Sequence, residues 1–181
     1  SYGYRPDKGH MRAVKFARSC FQNKKYPFVL KLDIDNYFDT INHDILFRRL
    51  QSVVPDLEIL RLIELCTKMG IVNKKLKWDE ITEGVAQGAI LSPILSNYYL
   101  HSFDQFVLTR TNMYVRYADD FIICCTTIVE AEKILNEATA FLQDRLRLRL
   151  NEPKILEVKN GIEFLGITID NRSLSISIQK K

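Results

Sequence analysis

Residues 113–125 read MYVRYADDFIICC, two runs of strand-forming residues separated only by Ala118, Asp119 and Asp120. β-Branched and aromatic side chains favour a pleated backbone, and so short a connection permits only an antiparallel hairpin. Adjacent acids at its tip carry an electrostatic penalty, because like charges repel and the apolar strands partly desolvate them. A divalent cation would relieve that penalty, since hard carboxylate oxygens suit Mg²⁺. Taken alone, the two acids serve equally well as a polar turn, a role Asp fills often.

A second apolar run, FVLKLD at 28–33, also ends in acids, Asp33 and then Asp35, so another strand delivers a carboxylate to its end. Asp33 is the natural partner of Asp119, which follows it by 86 positions. Helical spacing covers 43–52 and 56–69, with Pro55 at the break. A Lys-rich segment at 73–77 precedes GVAQG at 84–88, and the apolar run 90–106 carries Pro93 near the start of a long helix. Ala131, Ile134, Leu135, Ala138, Phe141 and Leu142 give 129–145 one apolar helical face. Short strands follow around 155–158, 162–169 and 174–178. Hairpins mixed with helices in this order predict an α+β fold, an antiparallel sheet with helices packed on one face.

No linker or repeat divides the chain; its 46% hydrophobic content suffices for one core, and at 181 residues its length favours one domain over two. The net charge of +4 permits attraction to a phosphate backbone without a histone-like excess. Cys20, Cys66, Cys124 and Cys125 show no CxxC spacing and read as reduced core thiols of a cytoplasmic protein. No apolar stretch approaches the roughly 18 residues of a membrane span, and no signal peptide is recognisable, so no membrane partner is expected. His10, His43 and His101 lack ligand spacing, and the alternating Arg145, Arg147 and Arg149 read as a solvated face.

Set between two β-runs, Tyr117-Ala-Asp-Asp120 resembles motif C of reverse transcriptases. LDIDNYFD at 32–39, followed by INH at 41–43, resembles motif A of the bacterial, group II intron-like branch. GVAQGAILSP at 84–93 resembles its motif B, continued by NYYL at 97–100, although many relatives carry Pro where this chain has Ala86. SYGYRP at 1–6 resembles the segment before motif A, LNEPK at 150–154 motif D, and FLG at 164–166 motif E. These pieces fall in the family's order and cover essentially the whole chain. The resemblance implies a polymerase palm over 1–181 with a small part of the fingers, most of the fingers and the thumb lying outside it.

The implied activity is that of an RNA-directed DNA polymerase, adding dNTP to a primer 3′-hydroxyl with two Mg²⁺ ions, or Mn²⁺ in their place. By the family pattern Asp33 and Asp119 bridge the metals, the main-chain carbonyl of Ile34 adds a ligand, and Asp120 supports them. Phe38, five positions after Asp33, would pack under the sugar and exclude a 2′-hydroxyl. Gln87 and Gly88 would meet nucleotide and template, Lys154 the departing pyrophosphate, and Arg5 the template backbone or triphosphate. Plainer roles compete, since most Phe are buried for packing and most Lys are solvated. The implied partners are an RNA template and a DNA or RNA primer. Intron RNA, or a fused or associated integrase such as Cas1, joins them, because intron maturases, retrons and CRISPR-associated enzymes carry related palms. An RNA-dependent RNA polymerase would share the metals, but Phe38 argues against it. A catalytically idle palm, serving as an interaction module in an integration or immunity complex, is opposed by the intact acids.

Overall fold

The computed structural model describes residues 1–68, 71–72, 78–79, 82–86, 89–170 and 174–176. In chain order these form α1 (His10–Gln22), β1 (Phe28–Asp33), α2 (His43–Leu50), α3 (Leu57–Lys68), β2 (Ile71–Val72) and β3 (Trp78–Asp79). There follow α4 (Ser92–Tyr99), α5 (His101–Leu108), β4 (Tyr114–Tyr117), β5 (Asp120–Cys125) and α6 (Ile128–Leu146). The chain continues through β6 (Lys154–Glu157), β7 (Ile162–Phe164), β8 (Ile167–Ile169) and β9 (Leu174–Ile176).

The main sheet has the order β4-β5-β1-β6 and is antiparallel throughout. In β5 every residue from Phe121 to Cys125 is buried, so this strand must be covered on both sides. Leu30, Leu32, Phe121, Ile123 and Cys125 face a core shared with α2 to α6, where Phe103 meets Phe121 edge-on at 5.3 Å. Val29, Val115, Ile122 and Cys124 face the opposite way. They pack on Ala13, Val14, Ala17, Cys20 and Phe21 of α1 and on Ile162, Phe164 and Ile169 of the small β7-β8-β9 sheet. The α+β class is as expected, but helices occupy both faces, not one, because β1 and β5 carry apolar residues at odd and even positions alike.

Capping residues set several boundaries. Asn42 accepts from the amide of Ile45 at 3.1 Å and opens α2. Thr127 accepts from Glu130 at 3.0 Å to open α6, and the Glu130 carboxylate reaches back to the amide of Thr126 at 2.6 Å. The single helix expected across 90–106 is two, broken at Leu100, where ψ is −2°. The piece expected at 162–169 is a tight hairpin, β7-β8, with positive φ at Leu165 and Gly166. Cys20, Cys124 and Cys125 are buried as expected, whereas Cys66 is exposed on α3. The Leu146 and Leu148 side chains are buried and the three arginines alternating with them are exposed, a solvated face as read. Among the described residues, no helix is long and apolar enough to cross a membrane.

Candidate active site

The β1–β5 register sets Asp33 opposite Asp120 at one end of the sheet. Tyr117 pairs with Asp120, so the turn itself is Ala118-Asp119, with Ala118 at a φ of 54°. Asp120 is therefore the first residue of β5, not part of the turn. Burial raises Asp119 above the usual carboxylate range, and the charge of Asp33 adds to this while Arg116 opposes it. Burial pushes Asp120 up to about 7, with Lys31 opposing and Asp33 and Asp119 adding to the rise. The Oδ1 atom of Asp120 is buried without a hydrogen-bond partner.

The segment after α6 is laid against the end of β1. Asn151 donates from its amide to the Asp33 carbonyl at 2.9 Å and from Nδ2 to Asp33 Oδ2 at 3.3 Å. The amide of Asp35 donates to the Arg149 carbonyl at 3.0 Å, and the buried Ile34 bridges Leu150. Lys31, Asp33, Asp120, Asn151, Glu152 and Lys154 line a cavity of about 270 Å³. Lys154 lies 3.6 Å from Glu152 in an exposed ion pair, too weak to immobilise it.

Phe38 sits in a 3₁₀ turn, Tyr37–Asp39, that follows Asn36 at a φ of 45°. Tyr37 is buried and donates its hydroxyl to the Ser96 carbonyl at 2.5 Å. Phe38 is half-buried, 5.4 Å from the Tyr37 ring and edge-on to Tyr4 at 6.4 Å. Tyr4 also lies 6.5 Å from Tyr117, which joins Phe38 and the hairpin through a half-exposed aromatic that the sequence reading does not single out. The Phe38 carbonyl accepts from Val85 at 2.7 Å, and Gly84 donates to the Ile41 carbonyl at 2.7 Å. His43 donates from Nε2 to the Gly84 carbonyl at 2.6 Å, so this histidine ties two motifs together. At Gly84, φ is +89° and a Cβ would stand 3.0 Å from the Asp39 carbonyl oxygen, so only glycine fits without strain.

Gln87 and Gly88 lie outside the described residues. The residue before them, Ala86, anchors the loop, since its carbonyl accepts from Ser92 Oγ at 2.6 Å and from the Ala89 amide at 3.1 Å. Arg5 is exposed and bridges Lys8 in a turn, lining with Asp7, Lys8 and Arg12 a hollow that shares no lining residue with the acids' cavity. Arg116, absorbed by the strand reading of MYVRY, lies beneath the hairpin and is only 1% exposed. Its cue is a lone cation inside an apolar strand.

Among the described residues, no three His, Cys, Asp or Glu side chains already converge as a metal-ligating set. The acids nevertheless suit a hard cation. Asp33, Asp119 and Asp120 repel one another at one sheet end, and one buried oxygen of Asp120 lacks a donor. Mg²⁺ commonly takes only one or two protein carboxylates and completes its shell with water and phosphate.

The profile of the family described as "Reverse transcriptase (RNA-dependent DNA polymerase)" matches residues 1–169. Protein YkfC of Escherichia coli (strain K12) is 30% identical over 205 residues, covering 92% of this chain and 54% of its own length. Group II intron-encoded protein LtrA of Lactococcus lactis subsp. cremoris is 25% identical, covering 93% of this chain and 39% of its own length. The putative COX1/OXI3 intron 2 protein of Saccharomyces cerevisiae is 24% identical over 93% of this chain and 26% of its own length. The chain thus spans about half the length of the first relative and less of the others. Telomerase from Candida albicans, solved with a TWJ fragment of telomeric RNA, superposes with a TM-score of 0.69 at 14% identity, over 92% of this chain and 33% of its own. Apo telomerase from Candida tropicalis gives 0.68 at 15% identity, over 92% and 35%. At such identity the likeness concerns the fold, which is that of a polymerase palm. With the profile running from the first residue through β8, the chain belongs to the reverse transcriptase (RNA-dependent DNA polymerase) family.

Proposed function

We propose that these residues form the palm, with a small part of the fingers, of an RNA-directed DNA polymerase that extends a DNA or RNA primer with dNTP on an RNA template. The observation that carries this reading is the pairing of Asp33 with Asp120, beside Asp119 in the hairpin turn, at one end of the sheet. Asp33 and Asp119 would hold two divalent ions, Mg²⁺ or Mn²⁺, with the main-chain carbonyl of Ile34 as a further ligand and Asp120 in support. When bound, such ions stabilise negative charge on the attacking and leaving oxygens of an in-line displacement.

The chain's own groups position and select. Phe38, braced by Tyr37 and Tyr4, offers an aromatic edge that would pack under a deoxyribose and leave no room for a 2′-hydroxyl. Gln87 and Gly88, following the loop anchored at Ala86, would meet the nucleotide base and template backbone. Lys154, on the rim of the acids' cavity and loosely paired, is suited to protonate or neutralise departing pyrophosphate. Arg5 is assigned to the template backbone or triphosphate. Similarity to intron-encoded proteins favours an intron RNA as the wider partner over an integrase such as Cas1.

Primer extension on an RNA template with dNTP and Mg²⁺, in the longest natural form of the polypeptide, tests the reading. Extension by the wild type and at least a 10³-fold loss in Asp119→Ala is expected, on the scale of removing a transition-state charge stabiliser. Absent extension, or extension that survives the substitution, would overturn it.

A further inference from the structure

A guanidinium taken out of water is strongly unfavourable unless its nitrogens find partners. All three nitrogens of Arg116 do, through four hydrogen bonds. Nε donates to Asp104 Oδ1 at 2.6 Å and Nη2 to Asp104 Oδ2 at 2.5 Å, a bidentate pair, and Tyr114 donates its hydroxyl to the same Oδ1 at 2.6 Å. Burial works against an ionised Asp104, but the hydrogen bonds and charge of Arg116 outweigh it and hold the carboxyl below its usual range. The remaining arm, Nη1, donates to Asn97 Oδ1 at 3.0 Å and to the Ala118 carbonyl at 2.9 Å.

Ala118 is the turn residue next to Asp119, and its φ of 54° is a conformation that Ala adopts only under constraint. Chain segment 1–3 supplies a second constraint. The Tyr2 amide donates to the Arg116 carbonyl at 2.6 Å, and Asn97 Nδ2 donates to the Gly3 carbonyl at 2.9 Å. A Cβ on Gly3 would stand 2.7 Å from the Ala118 nitrogen, so the backbones touch there. If Asp104 and Arg116 served stability alone, well-packed apolar residues could replace them. Apolar residues could not hold the Ala118 carbonyl.

We propose that Arg116, oriented by Asp104, is the positioning residue for Asp119: its Nη1 holds the carbonyl of Ala118 and so fixes the left-handed turn that presents the Asp119 carboxylate. This rests on the polymerase reading for its catalytic consequence, and on the hydrogen bonds alone for its structural one.

The test uses two variants in the longest natural form of the polypeptide. Arg116→Lys keeps the charge but cannot supply the fork and the third arm together. The pair Asp104→Leu with Arg116→Met replaces the ion pair by apolar volume. Both are expected to show wild-type circular dichroism. In both, kcat for RNA-templated extension should fall 10- to 100-fold, as for a displacement of about 1 Å at a reacting group, with the primer–template KM unchanged. The Mg²⁺ concentration for half-maximal rate should rise. In metal-free protein without substrate, amide hydrogen exchange at Asp119 and Asp120 should quicken at least 10-fold. Wild-type exchange at the hairpin in both variants, or wild-type kcat in the double variant, would overturn the proposal. So would a kcat loss that only follows a fall in Tm. If the wild type itself does not extend an RNA-templated primer, the polymerase reading fails, while the exchange measurement still decides whether Arg116 holds the turn.

Discussion

Replacing Asp120 by Asn should make the metal-free protein more stable at pH 8, even though it removes an acid from the candidate active site. The carboxyl is buried with one oxygen unpartnered, and burial with two neighbouring acids moves it from an ordinary 3.8 to about 7. At 1.36 kcal/mol per pH unit, this gap corresponds to about 4 kcal/mol against the ionised native state. Partial solvent access and screening reduce that to about 2–4 kcal/mol. Because the folded-state value lies above the unfolded one, the penalty is absent below about pH 4, grows as pH rises towards 7, and is complete above it. Asn is nearly isosteric and carries no charge. Urea denaturation with a chelator present, of wild type and Asp120→Asn, should show the variant ahead by about 2–4 kcal/mol at pH 8, with more than half of that lead gone by pH 5. Added Mg²⁺ should stabilise the wild type more than the variant, since only a ligand that binds the native acids shifts the equilibrium. Equal stability at pH 8, or a lead that does not shrink on acidification, would refute the view that the Asp120 carboxylate is buried beside two other acids at a cost to the native state.

Substituting Phe38 by Ala should raise ribonucleotide incorporation relative to deoxynucleotide, measured as the ratio of kcat/KM values; an unchanged ratio removes Phe38 from sugar selection. Phe103→Ala empties the space among Phe121, Phe106 and Phe141, at ring distances of 5.3, 5.8 and 5.8 Å, and should cost about 3–5 kcal/mol in denaturant unfolding. A loss below 1 kcal/mol would mean that this core relaxes freely. Gly84→Ala puts a Cβ against the Asp39 backbone at a φ of +89° and should cost about 1–3 kcal/mol, read as a lower Tm. Because Val85 is bonded to the Phe38 carbonyl, it should also weaken sugar discrimination, which a neutral surface substitution would leave untouched.

Much of the sheet is legible because its strands are short and bounded by chemistry. FVLKLD ends at the acid that ends β1, and the hairpin is marked by two β-runs with almost nothing between them. Helix α1 has an equally legible signal, Ala13, Val14, Ala17, Cys20 and Phe21 at helical spacing with Lys and Arg on the other side, although the sequence reading does not single it out. The break at Leu100 has no such mark. NYYLHSF reads as continuous helix, yet the structure interrupts it at Leu100, with Ser96 before the break bonded to Tyr37 and Asp104 after it bonded to Arg116 of β4.

The sequence is enough to name the pieces of the site: which strands end in carboxylates, that Phe38 stands five positions after Asp33, and which family these motifs resemble. How they are held depends on tertiary contacts. The fold set Asp120 in the strand opposite Asp33, leaving Asp119 in the turn, and made His43 a staple between motifs A and B. It also turned Arg116 from a strand residue into the buried support of the hairpin. The physical reason is that strand propensity and motif spacing act between neighbours in sequence. The contacts that fix the Asp119 turn join Arg116 to Asp104 and Asn97 on two helices and to segment 1–3, and no local pattern records a bond between residues so far apart along the chain.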